Sequence, residues 1–286
     1  MTARIFRRGT IALALLAAGF GMLAPGGATP APASRSDRTA DIRADYTVYV
    51  GGLIFAEGSM KATLSGDGYL LENELGSAGL PRRFWEAKWT MTSEGHIAND
   101  RVHPSRFAFT ATEKNETKRR LIVYDTNGTP ELTFDPPLPP DEHEETPPLS
   151  ERKKTLDPVS AFLLPVIGDG NPCDRTLPVF DGKRRYDLQL TYDGDDKVTT
   201  RDNGYSGKAV RCKVRVMPRA GMQRAKLATS LRQRGDTLIW LAPVRDDQLY
   251  IPVRVQLRTP IGAAILDVVK LQRYAEGAEE AEKTVE

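Results

Sequence analysis

The sequence predicts a mainly β fold, in which antiparallel strands curve into a barrel-like or spiral sheet with one short helix packed against it. Short segments of alternating apolar and polar residues recur along the chain, and turn-forming residues separate them. The clearest segment places Tyr186, Leu188, Leu190 and Tyr192 on one face of a strand. The one strong helix signal follows Asp157.

That helix signal has a recognisable start and end. Asp157 can cap a helix, and Pro158 suits the first helical position, where its missing N–H causes no loss. Pro165 limits the helix to about two turns. The stretch 156–212 therefore combines the helix, the best-formed hairpin and both cysteines, and we predict that the fold is organised around it.

The first part of the β domain, residues 34–135, is predicted to be a meander of short antiparallel strands. Gly51-Gly52 is a hairpin turn, and Trp85 and Trp89 share one face of a later strand. The strands are expected at 45–50, 53–64, 69–75, 84–91, 106–112 and 119–125.

A change in composition divides the chain. Residues 136–150 are rich in proline and acids and predict a mobile surface loop, because they offer little apolar surface to bury. The second part of the β domain, residues 151–275, precedes an acidic tail at 276–286. Its strands are expected at 184–192, 209–217, 226–231, 237–244, 249–258 and 262–274.

The first 33 residues are typical of a secretory signal peptide. Basic residues precede an apolar run at 11–24, and small residues follow, so that cleavage is expected at Ala28 or Ala33. The run is shorter than the roughly 20 residues that a membrane-spanning helix requires. We therefore expect a soluble periplasmic protein with no stable membrane anchor after cleavage.

Export places the two cysteines in an oxidising compartment, where a thiol pair usually forms a structural disulfide. We predict a bond between Cys173 and Cys212, which closes a loop of 39 positions. In the chain-entropy treatment, a loop of that length stabilises the fold by about 4 kcal/mol.

The charge argues against a nucleic-acid partner. Loss of the three leader arginines lowers the formal net charge from +2 to −1. Nucleic-acid binders usually carry a concentrated basic face.

Several segments together resemble a known family. They are Tyr46-Thr47-Val48-Tyr49-Val50-Gly51-Gly52-Leu53, Leu156-Asp157-Pro158-Val159-Ser160-Ala161, Cys173, Val179-Phe180-Asp181-Gly182-Lys183-Arg184-Arg185-Tyr186-Asp187-Leu188, Cys212, Trp240-Leu241-Ala242 and Ile251-Pro252-Val253-Arg254. With these segments the chain resembles the exported bacterial domain of unknown function 3108 family over nearly all of its mature length. The resemblance implies an exported, β-rich fold. It supplies no catalytic residues, because the family has no assigned activity.

No cluster in the sequence predicts a catalytic residue, a metal ion or a cofactor. The histidines, His96, His103 and His143, lack a carboxylate or cysteine at the spacing of a metal ligand. The run 204–207 lacks the Gly-x-Ser-x-Gly spacing of a nucleophile turn and is expected to be a hairpin tip. The acidic run 193–196 lacks the glutamate that closes a calcium loop.

Two groups of residues are candidates for ligand binding. Trp85, Trp89 and Phe107 could line an apolar surface, although aromatic residues more often belong to the core. Arg184 and Arg185 could hold an anionic headgroup or a carboxylate. For the arginines, we favour pairing with the acids at 181 and 187 on the solvent face of a strand.

The function expected from these observations is non-catalytic: a protein of the bacterial cell envelope that binds an envelope component or a protein partner. One alternative is a lipid or lipoprotein carrier, with an apolar cavity lined by residues such as Trp85 and Phe107. Another is an envelope hydrolase whose Asp, Glu or Ser residues come together only on folding.

Overall fold

The computed structural model describes residues 42–114, 116–139, 146–168, 170–221, 237–245, 248–259 and 262–273. Among these residues, none of the helices has the length and apolar character needed to cross a membrane. The predicted signal peptide, the acidic tail, the strand expected at 226–231 and His143 lie outside the described residues.

The described residues form fourteen strands, one short α-helix and three 3₁₀ turns. The strands are β1 (Ile42–Val50), β2 (Leu53–Ser65), β3 (Gly68–Ser77), β4 (Ala87–Ala98), β5 (Arg101–Glu113), β6 (Glu116–Tyr124), β7 (Pro130–Asp135), β8 (Leu164–Pro165), β9 (Arg175–Phe180), β10 (Arg185–Thr199), β11 (Ser206–Ala220), β12 (Thr237–Arg245), β13 (Leu249–Thr259) and β14 (Gly262–Arg273). The helix is α1 (Leu149–Arg152), and the 3₁₀ turns are Pro81–Arg83, Ser160–Phe162 and Arg201–Asn203.

The strands pair in one antiparallel sheet, which confirms the predicted fold class. Their order is β7-β6-β5-β4-β3-β2-β1-β14-β13-β12-β11-β10-β9, and β8 pairs separately with β13. Pairing of β1 with β14 joins the two halves of the chain. The alternation that specifies a strand is clear in β4, where Ala87, Trp89, Met91 and Ser93 are buried and the residues between them are more exposed.

A connecting segment, residues 149–166, runs between the two edge strands, β7 and β9. The N–H of Lys154 donates to the carbonyl of Gly128, in the turn between β6 and β7, at 2.8 Å. The N–H of Leu156 donates to the carbonyl of Pro178 in β9 at 2.7 Å. The connecting segment thus contacts both edge regions and satisfies backbone groups that an open edge leaves exposed.

The main core contains side chains from both halves and from the connecting segment. Phe107 and Ile122 come from the first half, Val179 and Phe180 come from the second, and Leu163 comes from the connecting segment. All five are fully buried. Burying a side chain of this size contributes about 1.5–3 kcal/mol, so the connecting segment stabilises the sheet as well as linking its edges.

Asp157 accepts the predicted capping hydrogen bonds, but the predicted two-turn helix from Pro158 is wrong. Asp157 Oδ1 accepts hydrogen bonds from the N–H groups of Val159 and Ser160 at 2.8 and 2.9 Å, as a capping residue does. Only the 3₁₀ turn Ser160–Phe162 follows. The helix stops there because the chain straightens into β8 and pairs with β13.

One predicted strand also needs correction, and two strands were missed. The strand expected at 84–91 begins at Ala87, since a 3₁₀ turn precedes it. Strands β7 and β9 were not predicted from the sequence. Each contains a proline, Pro130 or Pro178, and both strands lie at an edge of the sheet, where proline is tolerated.

The predicted disulfide is confirmed. Cys173 and Cys212 are bonded, with their Cα atoms 5.8 Å apart. They belong to a second, smaller core cluster with Leu164, Leu190 and Ile239. The disulfide therefore ties the loop that follows the connecting segment to β11.

Candidate functional site

The aromatic residues predicted to bind a ligand lie at different depths. The ring centroids of Trp85 and Trp89 are 5.4 Å apart, and those of Trp85 and Phe55 are 6.2 Å apart. Trp85 is half-buried, whereas Trp89 and Phe107 are buried in the main core. Of the predicted three, Trp85 is the one that reaches the surface, and ligand binding by them stays a prediction.

The two predicted arginines are paired with aspartates. Arg184 Nε lies 2.7 Å from Asp181 Oδ2, and Arg185 Nη1 lies 2.5 Å from Asp187 Oδ1. The expected pairing is confirmed, but the expected solvent face is wrong, because Asp181, Arg185 and Asp187 are buried. The pairing makes these charges part of the fold, and an anion site there stays a prediction.

Asp181 also joins two distant parts of the sheet. Arg120 in β6 donates to the backbone carbonyl of Asp181, and its Nη1 lies 3.7 Å from Asp181 Oδ1. Burial alone would raise the pKa of Asp181, but the charges of Arg184 and Arg120 outweigh burial and hold that pKa below its usual range. This cluster braces β6 against the turn between β9 and β10.

A second buried carboxylate fixes the connecting segment. Ser93 Oγ donates to Asp157 Oδ2 at 2.8 Å, and the Tyr69 hydroxyl lies 3.4 Å from Ser93 Oγ. Burial raises the pKa of Asp157, despite the hydrogen bonds that it accepts. Ser93 and Asp157 are the kind of pair that the hydrolase hypothesis requires, yet both are fully buried. Their contacts attach the connecting segment to β4.

Two of the three histidines, His96 and His103, form a pair on an exposed hairpin. His96 and His103 are direct partners in the register of β4 and β5, and their rings stack with centroids 4.9 Å apart. Partial burial is the larger cause that lowers the pKa of His103, and the interaction with nearby His96 lowers it further. Among the described residues, no group of three His, Cys, Asp or Glu side chains could hold a metal ion.

Four exposed apolar side chains lie together at two neighbouring turns, and we call them the apolar corner. Leu53 and Ile54 begin β2, and Leu80 and Phe84 flank the 3₁₀ turn between β3 and β4. Their exposed fractions are 65%, 38%, 58% and 81%, in that order. Backbone contacts bring the two turns together, and exposed apolar side chains that cluster in this way indicate an interaction site.

Backbone contacts hold the two turns of the apolar corner together. The N–H of Ala78 donates to the carbonyl of Phe55 at 3.0 Å. Gly79 has φ +60°, and a Cβ at that position would lie 2.5 Å from the carbonyl oxygen of Ile54. Glycine is therefore required both for the left-handed conformation and for the close approach of the loop to β2.

Basic residues border the apolar corner. Arg82 and Arg83 lie between Leu80 and Phe84, and Arg82 pairs with Glu86 at 3.4 Å. Arg83 has no ion pair with a described residue. The site therefore combines exposed apolar side chains, a half-buried tryptophan and the exposed Arg83.

Sequence reasoning missed the apolar corner as a site, although it named Trp85 beside it. The available signal was local: apolar residues directly follow the Gly51-Gly52 turn, and others flank Pro81. In an alternating pattern such residues are assigned to strands, and their exposure follows only from what the fold leaves uncovered.

The comparisons with known proteins give a family and two distant structural matches. The family model described as "Protein of unknown function (DUF3108)" matches residues 45–269. A β-barrel-like protein of domain of unknown function DUF1849 from Brucella abortus is 12% identical, with a TM-score of 0.46, and the match covers 83% of this chain and 99% of that one. The hypothetical protein CT021 from Chlamydia trachomatis is 11% identical, with a TM-score of 0.25 and coverage of 81% and 88%. No curated protein matches the chain.

Proposed function

The chain belongs to the DUF3108 family of proteins of unknown function, and from that premise we propose that it is a non-catalytic periplasmic protein of the bacterial cell envelope. It binds an envelope component or a protein partner through the apolar corner. The observation that carries this proposal is the clustering of Leu53, Ile54, Leu80 and Phe84 as exposed side chains at two adjoining turns.

Two further features support the periplasmic location. The sequence begins with the pattern of a secretory signal peptide. The disulfide between Cys173 and Cys212 is of the kind that persists in oxidising compartments.

The positions of the polar groups support a binding role in preference to a reaction. Asp157 accepts hydrogen bonds from two backbone N–H groups and from Ser93, and Asp181 is paired with Arg184 and Arg120. Both carboxylates hold parts of the fold together from buried positions. The exposed surface instead offers apolar side chains, which suit binding.

A photocrosslinking experiment in cells tests the proposal. Phe84 is replaced by benzoylphenylalanine, and the control carries the same group at Val123, which is 41% exposed. Val123 lies in β6, two strands from β4, at the level of Glu94 and so away from the end of β4 that Phe84 precedes. We expect an adduct with an envelope component from position 84 and a much weaker one from position 123. Equal labelling from both positions, or no adduct from position 84, would show that the apolar corner is not the binding surface.

A further inference from the structure

The apolar corner carries an inference about its partner, which rests on the proposed function. We infer that the envelope component it meets is the surface of a lipid bilayer that contains anionic phospholipids. The contact is peripheral and reversible, because it consists of a few side chains at turns and not of a spanning element.

The shape of the apolar corner suits a deformable partner such as a lipid bilayer. Leu80 and Phe84 lie on either side of a three-residue turn, and Leu53 directly follows the Gly51-Gly52 hairpin turn. Phe84 is the most exposed of them, at 81%. Side chains that protrude from adjoining turns can enter the boundary between headgroups and acyl chains without a preformed groove.

The half-buried aromatic residues next to the exposed Leu80 and Phe84 suit the headgroup level of a membrane. Phe55 and Trp85 are half-buried and adjacent, with their ring centroids 6.2 Å apart. Tryptophan is favoured at the level of the headgroups, because one end of its ring is apolar and the other is polar. With Leu80 and Phe84 inserted, Trp85 would lie at that level.

The charges around the apolar corner select the lipid. Glu86 neutralises Arg82, and the backbone N–H of Lys114 donates to the carbonyl of the same Glu86 at 3.2 Å, which places the exposed Lys114 beside the turn. Neither Arg83 nor Lys114 has an ion pair with a described residue. Two positive charges next to an apolar tip attract anionic headgroups and add to the apolar contribution.

Sedimentation with lipid vesicles tests the inference on the purified protein. The vesicles consist of phosphatidylethanolamine with or without phosphatidylglycerol. We expect the wild type to sediment with the phosphatidylglycerol vesicles, and less so as salt is added. Phe84→Ser should reduce the partition coefficient about tenfold, because a large apolar side chain is lost from the contact.

Matched variants separate the two contributions. Arg83→Gln with Lys114→Gln should weaken binding to anionic vesicles and leave the weak binding to neutral vesicles unchanged. Val123→Ser removes an exposed apolar side chain elsewhere and should bind as the wild type does. The midpoint of urea unfolding, measured for each variant, should remain that of the wild type.

The outcomes also distinguish this inference from the proposed function. If vesicles do not bind, or if Val123→Ser loses as much binding as Phe84→Ser, the lipid inference is wrong. Adducts from position 84 that contain a protein and no lipid would also overturn it, while the proposed function would stand. If position 84 gives no adduct in cells, the proposed function fails whatever the vesicles show.

Discussion

The connecting segment and the apolar corner differ in what covers them. Leu163 in the connecting segment is 1% exposed, and Leu80 in the apolar corner is 58% exposed. Both residues lie outside the long strands, beside turns of the same 3₁₀ type. The environment assembled by distant parts of the chain therefore decides whether an apolar side chain stabilises the fold or is available for binding.

The polar residues of the two regions follow the same division. In the connecting segment, Asp157 is buried, and its carboxylate accepts hydrogen bonds from Val159, Ser160 and Ser93. Beside the apolar corner, Arg82 and Arg83 are exposed next to Phe84. The first region should therefore tolerate few substitutions without loss of stability, and the second should tolerate many.

The largest expected effect comes from the disulfide, which ties the loop after the connecting segment to β11. Replacing Cys173 and Cys212 together with serine should lower the free energy of unfolding by about 4 kcal/mol, because the unfolded chain regains the freedom of a 39-position loop. Urea denaturation measures the loss, and the reduced wild-type protein is the control that should match it. A loss well under 1 kcal/mol would mean that the second core cluster holds this region without the disulfide.

The second prediction makes the same substitution in both regions. Leu163→Ala should cost about 3 kcal/mol, since it leaves a cavity in the main core. Leu80→Ala should change the free energy of unfolding by less than about 0.5 kcal/mol. Equal costs in urea denaturation would remove the distinction between the two regions.

The third prediction concerns the capping carboxylate of the connecting segment. Asp157→Ala should lower the free energy of unfolding by about 2 kcal/mol, because the hydrogen bonds to Val159, Ser160 and Ser93 are lost together. Asp157→Asn keeps an oxygen acceptor for the backbone and should be the more stable variant at neutral pH. Similar unfolding midpoints for the two variants would argue against the cap.

The smallest effect is a pH dependence with a defined sign. Burial raises the pKa of Asp157 in the folded protein, so the stability associated with its neutral form is present below the unfolded pKa. That stability is lost as pH rises through the folded pKa. Relative to Asp157→Asn, the wild type should therefore lose stability as pH rises above about 4, the ordinary pKa of an aspartate in an unfolded chain. A relative gain as pH rises would contradict the assignment of burial as the dominant cause.

Much of the sheet could be predicted from the sequence, because strand periodicity is a local property. The alternation from Tyr186 to Tyr192 lies within β10, and the cysteine pair followed from the expected oxidising compartment. The sequence could not show that Arg120 meets Asp181, 61 positions away, which is why the charges beside Asp181 were assigned to solvent. Periodicity assigns a face to a residue, but it does not show what covers that face.

The candidate site was harder to predict for the same reason. Trp85 was identified, and it does lie beside the apolar corner. Leu53 and Phe84 were assigned to strands, although Phe84 precedes β4 and both side chains are exposed. A site defined by exposure depends on where other segments stop, and the sequence does not give that information.

Hydrogen exchange in the presence of the isolated cell envelope tests the central claim most directly. Peptides that cover 53–56 and 78–86 report on the apolar corner, and a peptide that covers 155–164 reports on the connecting segment. We predict that the envelope fraction slows exchange in the apolar corner and leaves the connecting segment unchanged, since the fold already covers it. Unchanged exchange in the apolar corner would contradict the account.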